Sequence, residues 1–208
     1  RSVSVLIWTT TPWTLPSNLA VAFNPDYIYG AYPAGDSIVI LAEGLAEKVA
    51  ATTGRTLGEP VATFPGKVLE GIVFRHPLYE RDSVGVLADY VTLEQGTGVV
   101  HTAPGHGVDD YHTGLRYGLE IYAPVGPAGH FLDTVELFAG LRVFDANPVI
   151  IEALQARGRL WKHENYGHSY PHCWRCHHPV IFMATSKWFI AMEKQRLRQL
   201  ALREIDQV

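Results

Sequence analysis

The sequence predicts an α+β fold with a barrel-like mixed β-sheet core and a few flanking helices. Short apolar or alternating runs dominate the first half of the chain, and such runs are typical of strands. Proline and glycine clusters such as "FNPD", "YPAGD" and "FPGK" separate the runs and mark turns. Many short strands combined with few helices favour a barrel-like sheet.

The predicted strands differ in their patterns. "SVSVLIW" alternates between polar and apolar residues, which indicates a half-buried strand. "LAVAF" and "SIVILA" are continuous apolar runs, which also indicate strands. "GVLADYVTL" and "GTGVVHTA" predict two further strands in the middle of the chain.

Three helices are predicted among these strands. "LAEKVAATT" predicts a short first helix. A second begins after "PGHG", where Asp109 and Asp110 fall in its first turn, and it ends at Gly118. A third covers 148–157, with Asn147 as its N-cap and Gly158 as its stop.

The character of the chain changes near Glu164. Residues 164–189 are dense in aromatic and histidine side chains and show little periodicity. We therefore expect one domain over 1–163 and a connector to a further domain over 164–208. The final residues follow a helix-like pattern up to the last position, so we expect a piece of a longer chain.

Composition excludes several classes. With 208 residues, 47% of them hydrophobic, the chain can bury a core and is too apolar for disorder. No apolar run approaches the roughly 20 residues of a membrane span. A net charge of −4 does not favour tight independent binding of nucleic acid, although basic residues gather over 157–162 and 187–203. Two cysteines suit a reducing compartment, so we expect a cytoplasmic protein.

A threonine-rich loop follows the first predicted strand. It reads "WTTTPWTLPSN" over 8–18, and Pro12 and Pro16 fix φ and remove amide donors there. The remaining hydroxyl and N–H groups can then face a ligand. The alternative is a β-branched strand end followed by a proline-fixed turn. Because threonine is a weak nucleophile without a base, positioning of a ligand or water is favoured over covalent catalysis.

A second polar stretch, "GTGVVHTAPGHGVDDYH", covers 96–112. It places His101 in a strand and Asp110 at a helix start. Both are also common as a satisfied core histidine and a helix-capping carboxylate. A catalytic metal is a further alternative, but the spacing matches neither HExxH nor HxxEH. The residues that would hold this metal are His101, His106, Asp110 and His112.

Together these stretches resemble a known family. The two stretches are followed by "HSYPHCWRC" and "ATSKWF". These four motifs, in this order, resemble the editing insertion of bacterial-type isoleucyl-tRNA synthetases, and the resemblance covers almost the whole chain. Valyl and leucyl relatives are similar in fold, but they carry Arg where this chain has Thr11 and they lack Trp13. The HIGH and KMSKS signatures of ATP-dependent activation are absent, so we expect ATP binding and ligase activity only of a full-length synthetase.

The resemblance implies hydrolysis of mischarged valyl-tRNA(Ile), with valyl-adenylate as a second substrate. Asp110 would bind the α-ammonium of the aminoacyl group and His101 would line its side-chain pocket. The acyl carbonyl and the attacking water would be surrounded by Thr9, Thr10 and Thr11. Asn18 would fix the loop or the terminal adenosine. The other substrate-binding positions are Trp8, which could equally be a packing residue, and Thr14.

The partners implied are the 3′ end of tRNA(Ile) carrying valine and the remainder of the synthetase, whose catalytic domain the connector would rejoin. We expect a monomer that contacts no membrane and needs no cofactor for editing. Two other functions remain open at this point. One is a non-catalytic module that binds the aminoacyl group or the tRNA end, and the other is a metal-dependent hydrolase.

Cys173 and Cys176 form a single C-x-x-C pair. Tetrahedral zinc needs four ligands, so the pair is first interpreted as a half-site completed by cysteines outside this chain. Local closure by a neighbouring histidine and free structural thiols are the alternatives. The histidines are His172, His177 and His178. A thioredoxin-like role is disfavoured because no βαβ pattern surrounds the pair.

Overall fold

A computed structural model describes residues 2–207 and contains two four-stranded mixed sheets in that range. The first has the order β1–β4–β3–β5 and the second the order β6–β7–β2–β8. The strands are β1 Ser2–Val5, β2 Ala20–Phe23, β3 Ile28–Ala34, β4 Ser37–Ala42, β5 Ala62–Pro65, β6 Val73–Arg75, β7 Asp82–Leu87 and β8 Val99–Thr102. The α+β class is confirmed, although these strands form two sheets and no closed barrel within 2–207.

Four α-helices and four short 3₁₀ helices accompany the sheets in the described range. The α-helices are α1 Ala46–Thr53, α2 Val108–Tyr117, α3 Ala146–Ala156 and α4 Leu197–Ile205. The 3₁₀ helices cover Pro12–Ser17, Glu43–Leu45, Gly66–Leu69 and Lys194–Arg196. None of the helices in 2–207 has the length and apolar character that a membrane crossing requires.

The second sheet is built around β2. This strand runs parallel to β7 and antiparallel to β8, and its four residues are all buried. Burial on both faces explains its continuous apolar sequence. In the register with β8, Val21 pairs with His101, so the sheet sets the position of this histidine.

A buried tyrosine joins the two sheets. Tyr29 lies in β3 of the first sheet, and its hydroxyl accepts a hydrogen bond from the Asn24 N–H at 2.9 Å. The same hydroxyl donates to the Gly98 carbonyl at 2.8 Å, immediately before β8. The apolar part of the ring packs in a core shared by both sheets, with Phe23 and Val99 of the second sheet.

The predicted strands differ from the observed ones at their ends. β1 stops at Val5, so the last three residues of "SVSVLIW" lie outside it, and β7 ends at Leu87, well before the end of "GVLADYVTL". Strand β3 was not predicted because it contains Pro33. The Pro33 carbonyl accepts from Gly58 on the side away from β4, so the missing N–H removes no hydrogen bond between β3 and β4.

The helix predictions were correct except at one cap. Helices α1 and α2 occur as predicted, and Gly118 ends α2 in the left-handed conformation. Helix α3 begins at Ala146 with Asp145 at the N-cap position, so the prediction of Asn147 as N-cap was wrong. The Asn147 side chain instead accepts the Trp13 N–H at 3.0 Å and anchors the threonine-rich loop to α3.

The link through Tyr29 predicts that Tyr29→Phe lowers the free energy of unfolding by roughly 1–3 kcal/mol, because a buried N–H and a buried carbonyl lose their partner. Urea unfolding measures the change. Tyr27→Phe is the matched control, because it removes the same hydroxyl from a tyrosine that is only half-buried. Equal unfolding midpoints for Tyr29→Phe and the control would contradict this role of Tyr29.

Candidate functional site

A cavity of about 310 Å³ lies where the threonine-rich loop, β8 and the start of α2 meet. It brings together seven of the eight substrate-site residues expected from the sequence. The lining residues are Trp8, Thr9, Thr10, Thr11, Trp13, Thr14, Val100, His101, His106, Gly107, Asp110, Tyr170 and Phe182. Thus loop, strand and helix residues that lie about 90 to 100 positions apart share one space.

The threonine-rich loop is held by local hydrogen bonds. The Thr9 hydroxyl accepts the Thr11 N–H at 3.0 Å, and the Thr14 N–H donates to the Thr11 carbonyl at 3.1 Å. Pro12 opens a 3₁₀ turn there, since its fixed φ suits the first helical position. The hydroxyl oxygens of Thr10 and Thr11 lie 3.5 Å apart at the cavity and can serve a ligand or a water.

His101 is joined to the loop through Thr14. The Thr14 hydroxyl donates to the Thr11 carbonyl at 2.9 Å, so its oxygen must accept from His101 Nε2, 3.0 Å away. The Nδ1 atom therefore carries a lone pair, and within 2–207 it has no hydrogen-bond partner. Burial, followed by the nearby His76 and His106, lowers the pKa of His101 to about 4, so the ring is neutral near pH 7.

Asp110 supplies the carboxylate of the cavity. It lies in the first turn of α2, and its Oδ2 accepts the Ala103 N–H at 2.8 Å. Burial raises the pKa of Asp110 to about 6, and the negative charge of Asp109 adds to the effect. A β-carbon at Gly107 would lie 3.1 Å from the Asp110 carboxyl carbon, so glycine leaves this carboxylate accessible from the cavity. A cation such as a primary ammonium is its natural partner.

His106 is a site residue that sequence reasoning considered only as a metal ligand. Its Nδ1 lies 2.9 Å from the Phe182 carbonyl oxygen, and the edge of the ring faces Trp13 with 5.0 Å between ring centroids. Burial lowers the pKa of His106. Its Nε2 is buried and lacks a hydrogen-bond partner in the described part of the chain.

Two further cavity residues, Tyr170 and Phe182, come from the segment expected to be a connector. The Ala184 N–H donates to the Gly105 carbonyl at 2.8 Å and ties this segment to the turn before α2. Their role was not anticipated, although the aromatic density of the segment was a signal. The division at 163/164 stays a prediction, but the cavity wall draws on both sides of it.

Asn18 is the one expected site residue that does not line the cavity. Its Nδ2 donates to the Ala20 carbonyl at 2.8 Å, and its Oδ1 accepts from the Ser83 hydroxyl at 2.7 Å. The side chain is buried beneath the loop. Of the two roles expected for Asn18, fixing the loop agrees with this geometry and contact with an adenosine does not.

The residues weighed as metal ligands do not converge. His112 lines a different cavity beside Arg116, away from His101 and His106. Among residues 2–207, no three His, Cys, Asp or Glu side chains are grouped closely enough to hold a metal ion. This geometry does not support a metal-dependent hydrolase.

No family model matches the chain. The chain is 56% identical to an isoleucine–tRNA ligase of Nitratidesulfovibrio vulgaris, over 98% of this chain and 22% of the relative. It is 52% identical to the ligase of Fervidobacterium pennivorans, over 98% of this chain and 22% of the relative. Identity to the ligase of Geobacter sulfurreducens is 50%, over 100% of this chain and 22% of the relative.

The chain belongs to the isoleucine–tRNA ligase family. It spans about a fifth of the length of the curated relatives it matches. The resemblance inferred from the threonine-rich loop and the His/Asp stretch is therefore confirmed.

Solved structures show the same fold as this ligase segment. The crystal structure of GlLeuRS-CP1 aligns with a TM-score of 0.60 and 20% identity over 78% of this chain and 85% of that chain. The editing domain of the P. knowlesi cytosolic leucyl-tRNA synthetase aligns with a TM-score of 0.57 and 13% identity over 74% and 81%. At these identities the likeness establishes the fold alone.

The cysteine pair of the ligase segment lies in a tight loop. The Cys173 N–H donates to the His178 carbonyl at 2.9 Å, and the His177 N–H donates to the Cys173 carbonyl at 2.8 Å. Backbone N–H groups of Cys176 and Arg175 face the Cys173 sulfur and lower the pKa of its thiol, which suits a thiolate ligand. The half-site stays a prediction, and among residues 2–207 no third ligand is grouped with the pair closely enough to hold a metal ion.

This loop predicts that the purified chain retains well under one zinc per molecule after dialysis, because two thiolates alone bind zinc weakly. Metal analysis by mass spectrometry measures the ratio, with Cys176→Ser as the control for background metal. One zinc per chain, lost in Cys176→Ser, would instead establish local closure.

The buried carboxylate predicts that Asp110→Asn stabilises the fold near neutral pH. A folded-state pKa of about 6, raised from 3.8, means that the stabilising contribution of the protonated group is lost as the pH rises through 6. The neutral amide keeps an acceptor for Ala103, so the free energy of unfolding should rise by roughly 1–3 kcal/mol at about pH 7.5.

Urea unfolding of both proteins at about pH 7.5 and about pH 4 measures this difference, which should nearly vanish at the lower pH. Asp36→Asn is the control, since Asp36 is an exposed aspartate in the turn between β3 and β4, away from the cavity. A gain that is equal at both pH values would show that burial of charge is not the cause.

Proposed function

We propose that this chain is the hydrolytic proofreading domain of an isoleucine–tRNA ligase and that it deacylates valyl-tRNA(Ile), with valyl-adenylate as a second substrate. The observation that carries the proposal is the single cavity that the Thr10 and Thr11 hydroxyls share with the Asp110 carboxylate. Hydrolysis of an aminoacyl ester requires hydroxyls that can orient water and a carboxylate that can bind the ammonium group.

A second site is needed for a physical reason. A pocket built for isoleucine rejects valine by only about 1–3 kcal/mol, a magnitude established on synthetases of this family. A smaller hydrolytic site that admits valine and excludes isoleucine supplies the missing discrimination. The cavity of about 310 Å³ is at the small end for ligand pockets, which suits a short aliphatic aminoacyl group.

The carboxylate sets the orientation of the substrate. Asp110 would accept hydrogen bonds from the α-ammonium, and this requirement excludes hydroxy acids and N-blocked aminoacyl groups. The neutral ring of His101, fixed by Thr14, would form the wall that meets the substrate side chain. Because such a wall is rigid, a substrate side chain that is longer by one methylene would clash with it.

The threonine-rich loop would serve the reacting ester. Backbone N–H groups of Thr9 and Thr10, together with the hydroxyls of Thr9, Thr10 and Thr11, would stabilise the tetrahedral oxyanion and hold the attacking water. Trp8 would flank the terminal adenosine or the loop, since it lines the cavity and also packs edge-on against Tyr166. This chemistry requires no cofactor, because positioning and electrostatic stabilisation are sufficient for water attack on an activated ester.

The partners follow from the substrate. The 3′ end of tRNA(Ile) would enter the cavity, and the remainder of the synthetase would hold the rest of the tRNA. The net charge of −4 supports this division, since a negatively charged chain does not favour tight independent binding of tRNA. We further propose that the chain acts as a monomer in the cytoplasm and that zinc bound at Cys173 and Cys176 requires ligands from elsewhere in the synthetase.

A non-catalytic binding module is the second candidate, because the same carboxylate and hydroxyls could recognise an aminoacyl group without hydrolysing it. Release of free valine from valyl-tRNA(Ile) by the purified chain separates the two functions. If hydrolysis stops in the presence of a chelator, the result would instead favour a metal-dependent hydrolase.

The site predicts that Asp110→Ala lowers the rate of valine release by roughly ten- to a hundredfold, since a charge-assisted contact with the ammonium is lost. Thr10→Ala should reduce the rate by about fivefold through loss of one hydroxyl contact. The rate is measured as the release of radiolabelled valine from valyl-tRNA(Ile) at limiting substrate.

Thr52→Ala is the control, because Thr52 is an exposed threonine of α1 remote from the cavity. If both cavity variants deacylate at the rate of the control, these residues take no part in the mechanism.

A further inference from the structure

His106 has one nitrogen occupied and one free. The Phe182 carbonyl can only accept, so the hydrogen on the 2.9 Å contact belongs to Nδ1. The ring is 7% exposed, and burial favours its neutral form. The Nε2 atom therefore carries a lone pair, and no group of residues 2–207 donates to it.

Such an atom is unfavourable unless something binds it. A buried acceptor left without a donor destabilises a fold. The ring cannot turn to relieve this, because the Phe182 carbonyl holds one edge and Trp13 packs against the ring. His106 lines the cavity, although Nε2 itself has almost no accessible surface, so a guest bound there supplies the donor once the surrounding side chains adjust to it.

The position of His106 links it to the ester rather than to the substrate side chain. It precedes Gly107 and the first turn of α2, which carries Asp110. In an aminoacyl ester the ammonium and the carbonyl carbon are attached to the same α-carbon. A substrate anchored at Asp110 therefore brings its carbonyl to the mouth of this helix, while His101 on β8 forms a different part of the wall.

We propose that Nε2 of His106 accepts a hydrogen bond from the attacking water and takes its proton, which deepens and rests on the proposed deacylation. The water oxygen bonds to the ester carbonyl carbon as one proton moves to Nε2. The tetrahedral intermediate then expels the ribose oxygen, which receives that proton from the imidazolium. The products are free amino acid and a tRNA end with its hydroxyl restored.

The connector acts as a positioning segment in this scheme. Its Phe182 carbonyl fixes the Nδ1–H tautomer, and this leaves the basic lone pair on Nε2. The bond from the Ala184 N–H to the Gly105 carbonyl holds the carbonyl of Phe182 in register with His106. A base that needs the connector in place would hydrolyse esters only when this segment is docked.

His106→Asn tests the proposal, because the amide nitrogen of asparagine can replace Nδ1 as donor to Phe182 while nothing replaces Nε2. Deacylation of valyl-tRNA(Ile) should show kcat lowered by roughly a hundredfold or more, as for loss of a general base, with KM nearly unchanged. His112→Asn, the same change at an exposed histidine of α2, is the matched control.

An unchanged kcat in His106→Asn, or a loss confined to KM, overturns the proposal while leaving valine release by the unaltered chain, and hence the proposed function, intact. Absence of valine release from the unaltered chain overturns both. Nitrogen-15 NMR of the unaltered chain provides a readout that does not depend on any variant: a neutral His106 protonated at Nδ1 is expected, and the Nε2–H tautomer overturns the proposal.

Discussion

The cavity depends on one chain of hydrogen bonds between the threonine-rich loop and β8. The Thr14 hydroxyl donates to the Thr11 carbonyl and accepts from His101, so a single side chain joins the loop to the second sheet. Asn147 holds the other side of the loop through the Trp13 N–H. With these contacts in place, the hydroxyls of the loop face α2 at a fixed separation. Without them the loop would be an ordinary turn at a strand end.

The same cavity is lined by buried polar groups that destabilise the fold, and a fold selected only for stability would avoid them. Asp110 is ionised near neutral pH although burial raises its pKa to about 6, and lone pairs on two neutral imidazoles have no donor within 2–207. Each of these groups becomes favourable when a donor-rich guest enters. A primary ammonium and a water molecule are such guests. The unfavourable burial of these groups is thus the physical counterpart of the proposed affinity of the site for an aminoacyl ester.

The segment after residue 163 has two halves that differ in their contacts in the described structure. Its first half reaches back to the cavity through Tyr170 and Phe182 and carries the cysteine loop. Its second half is exposed, including the large side chains of Trp188 and Phe189, and it ends in α4, none of whose residues is buried. The curated relatives are about five times longer than this chain, and the connection of this segment to a further domain stays a prediction.

The sequence by itself determined the α+β class, the helix starting at "PGHG" and the family, because these depend on local periodicity, helix-terminal residues and motif order. Through the resemblance it also predicted that the loop, His101 and Asp110 form one site, and these residues line one cavity. Only the tertiary structure decided that the strands form two sheets, that Asn18 lies beneath the loop, and that Asn147 binds Trp13. The free Nε2 of His106 was equally invisible, because its tautomer is set by a carbonyl 76 residues away. Local patterns specify elements, whereas hydrogen bonds between distant residues arise only when the chain has packed.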